Sequence, residues 1–560
     1  MHGEAKDRQE EGQLQHESPL HDSRRLILQD CELRDLQNPE RYFQTLLDYV
    51  RTARSRIILS ALYLGTGPRE VQLVEALREA LLDPLRPDLT VTVILDHSRA
   101  QRGAVNSLTL LSTLVEACQS RVHVCLYQVP QLRSALAQLL PGQLKEVLGV
   151  YHCKFGVFDE SVLLSGANLS EEYFVSRQDR YILIPGRASP SAPSLATYLG
   201  AFSAAVTADC HELQPDMQLR PPAQLRADLQ STLLHLSRNV ATASAGDSAD
   251  STFAYPLIQH GQLGINHEAV ALTEHLWTAP FTCVLNATLG LATPYSNYRS
   301  SFLKAVLSTI HKGCAVQLTV PSVPAHGFGS ARGIKGAVPS LHHCSLMREV
   351  CSVLGSLSGS SGSSGSSSAS KSSSSGSSGG NSDSGGGCAG SGAVTGSVQT
   401  QYYMRKDWTF HTKGMWLFPA PLAASLHVPY DTSVASEDEA AYLGVGTAPV
   451  VTYLGSSNFG ERSWTRDFEL GFLIVSGEEK VQGVLKEEYA RLLRQCGVQG
   501  GSGGATSGTW MGPGAGSWGV GRSGASAALR KVPLHMQYPE QSIPMQWILH
   551  TVARVIRSFL

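Results

Sequence analysis

Tyr151-His152-Cys153-Lys154-Phe155-Gly156-Val157-Phe158-Asp159 is the stretch whose reading decides the fold. His152 and Lys154 alternate with Cys153, so an extended backbone turns both to one face. Phe155 to Phe158 is short and mostly apolar, the pattern of a buried strand. Asp159-Glu160 reads as a turn and Ser161 to Gly166 as the returning strand, with Asn168 and Ser170 where it empties into a loop. These residue types carry a chemistry. An imidazole attacks phosphorus and forms a covalent phospho-histidine. A lysine supplies fixed positive charge where phosphoryl oxygens gain negative charge. An aspartate near the ring orients it and chooses its tautomer. A His-x-Lys triplet alone is common; Asp159, the hairpin and the Gly-x-Asn turn give this one its content.

Outward from this hairpin the chain alternates strand and helix. Asn38-Pro39 reads as an N-cap followed by proline in the first helical turn, with Tyr42, Phe43, Leu46, Leu47 and Val50 at helical spacing behind it. Strands follow at 56–64, 91–96 and 122–127, with helices near 69–82 and 105–117 between them, which implies a mostly parallel sheet with helices on its faces. A looser second copy answers the first. Phe281 to Asn286 stands for the strand at Ile57, residues 315–320 are a strand, and 399–404 answer 122–127. His411-Thr412-Lys413 repeats the triplet, and Gly455-Ser456-Ser457-Asn458 repeats the turn closed by asparagine. The position matching Asp159 is Phe418, so the second motif lacks its aspartate; Asp467 or Glu469 is the acid available to serve His411 across the loop, unless both pair with Arg462 or Arg466.

The organisation read from this is a polar tail at 1–37, a first half at 38–215, the start of the second at 216–354, a Ser/Gly-rich linker at 355–397, the end of the second half at 398–497, a Gly-rich insert at 498–530 and a C-terminal amphipathic helix at 531–560. The linker's composition cannot bury a core. The net charge of -2 gives no basic field for nucleic acid. The eleven cysteines include no metal-spaced pair and read as reduced thiols, and no ligand cluster suggests a metal. No apolar stretch is long enough to span a bilayer. The first twenty residues are polar and carry acids, unlike a transit peptide.

His152, Lys154 and Asp159 together form the HxK(x4)D signature that this stretch shares, by resemblance, with the phospholipase D superfamily. The flanks narrow it. Ser60 to Gly67, Glu146 to Gly149, Gly166 to Ser170, Arg177 to Tyr181, Gln259-His260-Gly261, Thr293 to Asn297, His326-Gly327-Phe328, Trp408 to Lys413, Asn458 to Ser463 and Arg466 to Glu469 resemble the eukaryotic CDP-diacylglycerol–glycerol-3-phosphate 3-phosphatidyltransferase family. The resemblance implies two phospholipase D-like α/β/α sandwich halves with the active site between them. It implies transfer of a phosphatidyl group from CDP-diacylglycerol to glycerol 3-phosphate through a phosphatidyl-histidine, without a required cofactor. Asp159 beside His152 tilts the assignment to that histidine as the nucleophile and His411 as the general acid and base, with the reverse left open; Lys154 and Lys413 are the phosphoryl clamps, with Asn168, Ser170, Ser457, Asn458, Asp467 and Glu469 around the substrate. It also implies a mitochondrial, inner-membrane-associated protein. A phosphatidylserine synthase, a hydrolytic phospholipase or an inactive scaffold are the alternatives. A lipid substrate demands a docking surface, and Trp547, Ile548, Val552, Val555, Ile556 and Phe559 form an apolar stripe that either lies in a bilayer interface or packs on the protein's own core.

Overall fold

The computed structural model describes residues 20, 25–28, 32–118, 120–134, 137, 139–140, 145–186, 194–222, 227–238, 251–276, 287–295, 297–329, 397–419 and 450–498. The first sheet runs, in spatial order, Val122–Tyr127, Thr90–Asp96, Arg56–Ser60, Phe155–Phe158, Ser161–Ser165 and Tyr181–Ile184; the first three strands are parallel and the rest antiparallel. The second sheet repeats that order with Ser397–Tyr403, Ala315–Pro321, Thr288–Ala292, Gly414–Phe418, Val451–Gly455 and Phe468–Ser476. Even the antiparallel end strands correspond, His211–Leu213 in one sheet and Cys496–Val498 in the other. The duplication read from two His-x-Lys triplets is therefore a duplication of topology.

Helix formation follows the local signals. Asn38 accepts the Arg41 N–H through its side chain and Pro39 opens the helix Pro39–Thr52, a cap worth about 1 kcal/mol. That helix buries Tyr42, Phe43, Leu46, Leu47 and Val50, the residues its periodicity selects. The two halves share one core: Cys153, Phe155 and Phe202 from the first pack in the same cluster as Phe468, Leu470 and Phe472 from the second. A buried ion pair adds to the clamp. Arg180 Nε and Nη2 each donate to Glu488 at 2.6 Å, and the guanidinium lies 4.1 Å from the Trp416 ring centre. Removing one partner of such a pair costs about 3–5 kcal/mol, because the other charge stays buried.

Several expectations change. The tail is not free of structure: Leu26–Ile27 pairs with the second half's sheet and Arg34–Asp35 with the first half's, so it touches both. The first half extends past residue 215, since Leu219–Arg220 pairs with His211–Leu213 and helix Ala227–Arg238 packs on helix Leu195–Ala208. Strand Thr252–His260 carries Pro256 in its middle, a residue that argues against a central strand. Its missing N–H costs little there. Pro256 faces Phe472 on one side, while on the other the short partners bond only at Phe253 and Ala254 and at Gln259 and His260. The second-half strand answering Ile57 is Thr288–Ala292; the expected one at 281–286 lies outside the described residues. So do the C-terminal helix, the Gly-rich insert apart from Val498, which ends a strand, and the Ser/Gly linker apart from Ser397, which starts one. No helix among the described residues is long and apolar enough to cross a membrane.

The main correction concerns Asp159. Its carboxylate accepts from Arg54 N at 2.8 Å, Ser55 N at 2.8 Å, Ser55 Oγ at 2.7 Å and Arg56 N at 3.1 Å. The strand Phe155–Phe158 carries it away from His152 to the far hairpin turn, where it adopts φ 51°. Asp159 thus ties the hairpin to the start of strand Arg56–Ser60 and does not orient the imidazole. Asp159→Ala, which loses these charge-assisted bonds and leaves a side chain that cannot bond locally at a positive φ, should lower unfolding stability by about 2 kcal/mol in chemical denaturation. Unchanged stability with abolished catalysis would return Asp159 to the site.

Candidate active site

The two triplets meet because each half lends backbone to the other. Tyr151 bridges Phe468 in parallel, with His152 N donating to Phe468 O at 2.8 Å and Phe468 N to Val150 O at 2.9 Å. Reciprocally, Thr409–Phe410 pairs in parallel with Arg177–Gln178, and His411 N donates to Gln178 O at 2.8 Å. Buried Asp96 adds a third anchor, accepting Tyr151 N at 2.8 Å while it caps the helix His97–Ala100. These pairings set the acid partners. His152 Nδ1 lies 2.8 Å from Glu469 Oε2, and His411 Nδ1 lies 2.7 Å from Asp179 Oδ2. The expectation that Asp467 or Glu469 serves His411 is corrected: Glu469 serves His152, and Asp467 is held by Val150 N at 2.9 Å and Arg462 Nε at 3.1 Å.

The sequence carries a signal for this that the local motif hides. Asp179 follows Asn168 by the same eleven residues that separate Glu469 from Asn458. Gly166 makes the approach possible, because a β-carbon there would stand 2.6 Å from Asp179 Oδ1. Lys154 and Lys413 fold alike, each donating to the carbonyl of its own histidine at 2.8 Å. Lys413 also donates to Asp179 Oδ2 at 3.2 Å and touches the His411 ring. Asn168 and Asn458 each present a buried carboxamide end, assigned as Oδ1, that has no partner among the described residues. With the amide turned over, the same place carries an NH₂ group. Ser170 and Ser457 are engaged locally, Ser170 Oγ with Tyr63 OH at 3.3 Å and Ser457 Oγ with Phe459 N at 3.1 Å.

The electrostatics favour a neutral imidazole among cations. Burial pushes the His152 pKa down to about 4, outweighing the pull of Glu469 the other way. Burial also drives His411 well below its ordinary value, helped by Lys413, Arg177, Lys154 and His152. Lys154 is lowered to about 7 and Lys413 to about 8, in both cases first by burial. A carboxylate only accepts, so each ring donates from Nδ1 and keeps its lone pair on Nε2. The two Nε2 atoms then differ. His411 Nε2 lies 3.2 Å from Tyr173 OH, whereas His152 Nε2 has no hydrogen-bond partner among the described residues. Tyr173 stands five residues after Asn168; five after Asn458 is Ser463, whose Oγ accepts Asn458 N. The site therefore has one open imidazole and one covered by a phenol. Sequence reasoning assigned no role to Tyr173, Arg177 or Asp179, although Arg177 and Asp179 lie in a stretch that carried the family resemblance.

No family model matches the chain. It is 30% identical over 502 residues to the mitochondrial CDP-diacylglycerol–glycerol-3-phosphate 3-phosphatidyltransferase of Homo sapiens, covering 83% of this chain and 78% of the relative. The mouse relative of the same name is 29% identical over 524 residues, covering 86% and 80%. The Saccharomyces cerevisiae CDP-diacylglycerol–glycerol-3-phosphate 3-phosphatidyltransferase is 25% identical over 491 residues, covering 83% and 82%. Among solved structures, phosphatidylserine synthase from Haemophilus influenzae Rd KW20 superposes with a TM-score of 0.63 at 17% identity, covering 99% of this chain and 100% of that one, a likeness of fold. With that extent of identity spread over both halves, the chain belongs to the CDP-diacylglycerol–glycerol-3-phosphate 3-phosphatidyltransferase family.

Proposed function

We propose that this chain transfers the phosphatidyl group of CDP-diacylglycerol to sn-glycerol 3-phosphate in two displacements at one site. The observation that carries the reading is the pair of buried imidazoles, each held through Nδ1 by an acid of the other half, between two buried lysines. His152 Nε2 attacks the phosphorus that bears the diacylglycerol; the bridging P–O bond breaks, and CMP leaves. A phosphate monoester has a second pKa of about 6, so CMP departs with little help from an acid. His411, uncharged at rest, is then ready for the harder step. Its Nε2 takes the proton of the acceptor's sn-1 hydroxyl as that oxygen attacks phosphorus and the P–N bond to His152 breaks. General-base help of this kind is worth roughly 10²–10⁴ in rate. Lys154, Lys413 and the free carboxamide ends of Asn168 and Asn458 carry the charge on the phosphoryl oxygens.

The open Nε2 of His152 favours it as the nucleophile over His411, whose Nε2 must first part from Tyr173. The names of the animal relatives carry the word mitochondrial, which supports a mitochondrial location. We place the work at the inner membrane surface, with the apolar stripe of 544–560 as the docking element. Purified protein given CDP-diacylglycerol labelled at the diacylglycerol-bearing phosphate, with glycerol 3-phosphate, serine or water, tests the reading. Label should pass to glycerol 3-phosphate. His152→Asn should abolish both CMP release and trapping of label on the protein, while His411→Asn should still form the adduct but fail to discharge it. Trapping that survives loss of His152 and needs His411 would reverse the roles.

The pKa directions give a second test. The reactive form has neutral His152 and charged lysines, so kcat/KM for CDP-diacylglycerol in micelles should rise through about pH 4 and fall from about pH 7 as Lys154 loses its proton. A bound diphosphate holds the ammonium charged, so the alkaline fall in kcat should lie at higher pH. Coincident alkaline limbs in kcat and kcat/KM would contradict it.

A further inference from the structure

We propose that Arg177 is the receptor for the acceptor's phosphate, holding glycerol 3-phosphate so that its free hydroxyl meets His411 Nε2. This rests on the transfer reading above and deepens it by assigning the acceptor's own anchor. The chemistry requires such a group. Lys154 and Lys413 face the phosphoryl centre being transferred, and the acceptor brings a second phosphate dianion that needs a cation of its own.

Arg177 has the position and the preparation. Its Nη1 donates to Tyr173 OH at 3.1 Å, and the same oxygen lies 3.2 Å from His411 Nε2, so guanidinium and base stand within roughly 6 Å of each other. That matches the span from a terminal hydroxyl to a phosphate across a three-carbon chain, about 5–6 Å. Two further contacts fix the fork. Nε donates to Thr409 Oγ1 of the other half at 3.1 Å, and the guanidinium carbon lies 4.7 Å from the Tyr173 ring centre. The remaining edge, Nη2, pairs at 2.6 Å with Glu172, whose side chain is 62% exposed. An ion pair to so exposed a carboxylate contributes little, and a phosphate dianion, which an arginine fork binds through two parallel hydrogen bonds, displaces it readily. Other arginines near the site are committed to buried acids, Arg462 to Asp467 and Arg180 to Glu488. The phenol completes the device: a hydroxyl that arrives at His411 takes the place Tyr173 OH occupies at rest.

The experiment uses the full chain in detergent micelles with labelled CDP-diacylglycerol and compares glycerol 3-phosphate with glycerol, the same skeleton without the phosphate. Both acceptors draw on one phosphatidyl-enzyme, so any change in its formation cancels in the ratio of their kcat/KM values. Arg177→Gln should lower that ratio at least about tenfold. Glu172→Gln, a change at the surface that removes the competing carboxylate, should lower the KM for glycerol 3-phosphate about two- to fivefold. A ratio unchanged in Arg177→Gln, or a variant altered only in its KM for CDP-diacylglycerol, overturns the assignment while the transfer reading stands. A wild-type protein that prefers serine or water to glycerol 3-phosphate defeats the transfer reading, and the assignment with it.

Discussion

The site depends on a reciprocal exchange of backbone between the halves. The segment before each His-x-Lys triplet forms parallel pairing with the segment that carries the other half's acid: Tyr151 with Phe468, and Thr409–Phe410 with Arg177–Gln178. Glu469 lies one residue beyond Phe468, and Asp179 one beyond Gln178, so this register delivers a carboxylate to each imidazole from across the interface. Neither half alone holds a histidine together with its acid. The shared apolar core and the Arg180–Glu488 pair hold the register, and the burial they create keeps the rings neutral.

Duplication supplies the frame, and departures from it make the two sides of the site unlike. Ser463 stands where the first half has Tyr173, and Arg462 stands where it has Glu172, each at the same distance from its asparagine. The first difference leaves His152 Nε2 open and covers His411 Nε2 with a phenol. The second places an exposed carboxylate beside Arg177 on one side and an arginine locked to buried Asp467 on the other. A symmetric site would present two equivalent nucleophiles. This one presents a histidine with an open Nε2 and another whose Nε2 meets a phenol, with the Arg177 guanidinium near the second.

Much of this was legible in the chain. Period-two and helical apolar patterns placed most of the first sheet, and the two triplets with their asparagine turns announced the repeat. What stayed hidden has physical reasons. A contiguous motif suggests a contiguous site, so Asp159 looked like the partner of His152; four residues of intervening strand carry it to the opposite end of the hairpin. The true acids lie in the other half, and only the matching offset from Asn168 and Asn458 betrays them. Thr252–His260 was masked by Pro256, whose missing N–H falls where the neighbouring strand is interrupted. The short pairings of residues 26–27 and 34–35 have no periodicity to read, since two residues carry none.

Each imidazole takes its acid from the opposite half, and in the proposed reaction the two pairs serve different steps. Rapid-quench measurement of the two half-reactions in Glu469→Gln and Asp179→Asn addresses it directly. Glu469→Gln should slow formation of the phosphatidyl-enzyme by roughly 10²-fold or more and slow it more than discharge, while Asp179→Asn should slow discharge to glycerol 3-phosphate more than formation. The opposite pattern, or equal loss in both steps from each variant, would contradict the crossed pairing as the basis of the mechanism.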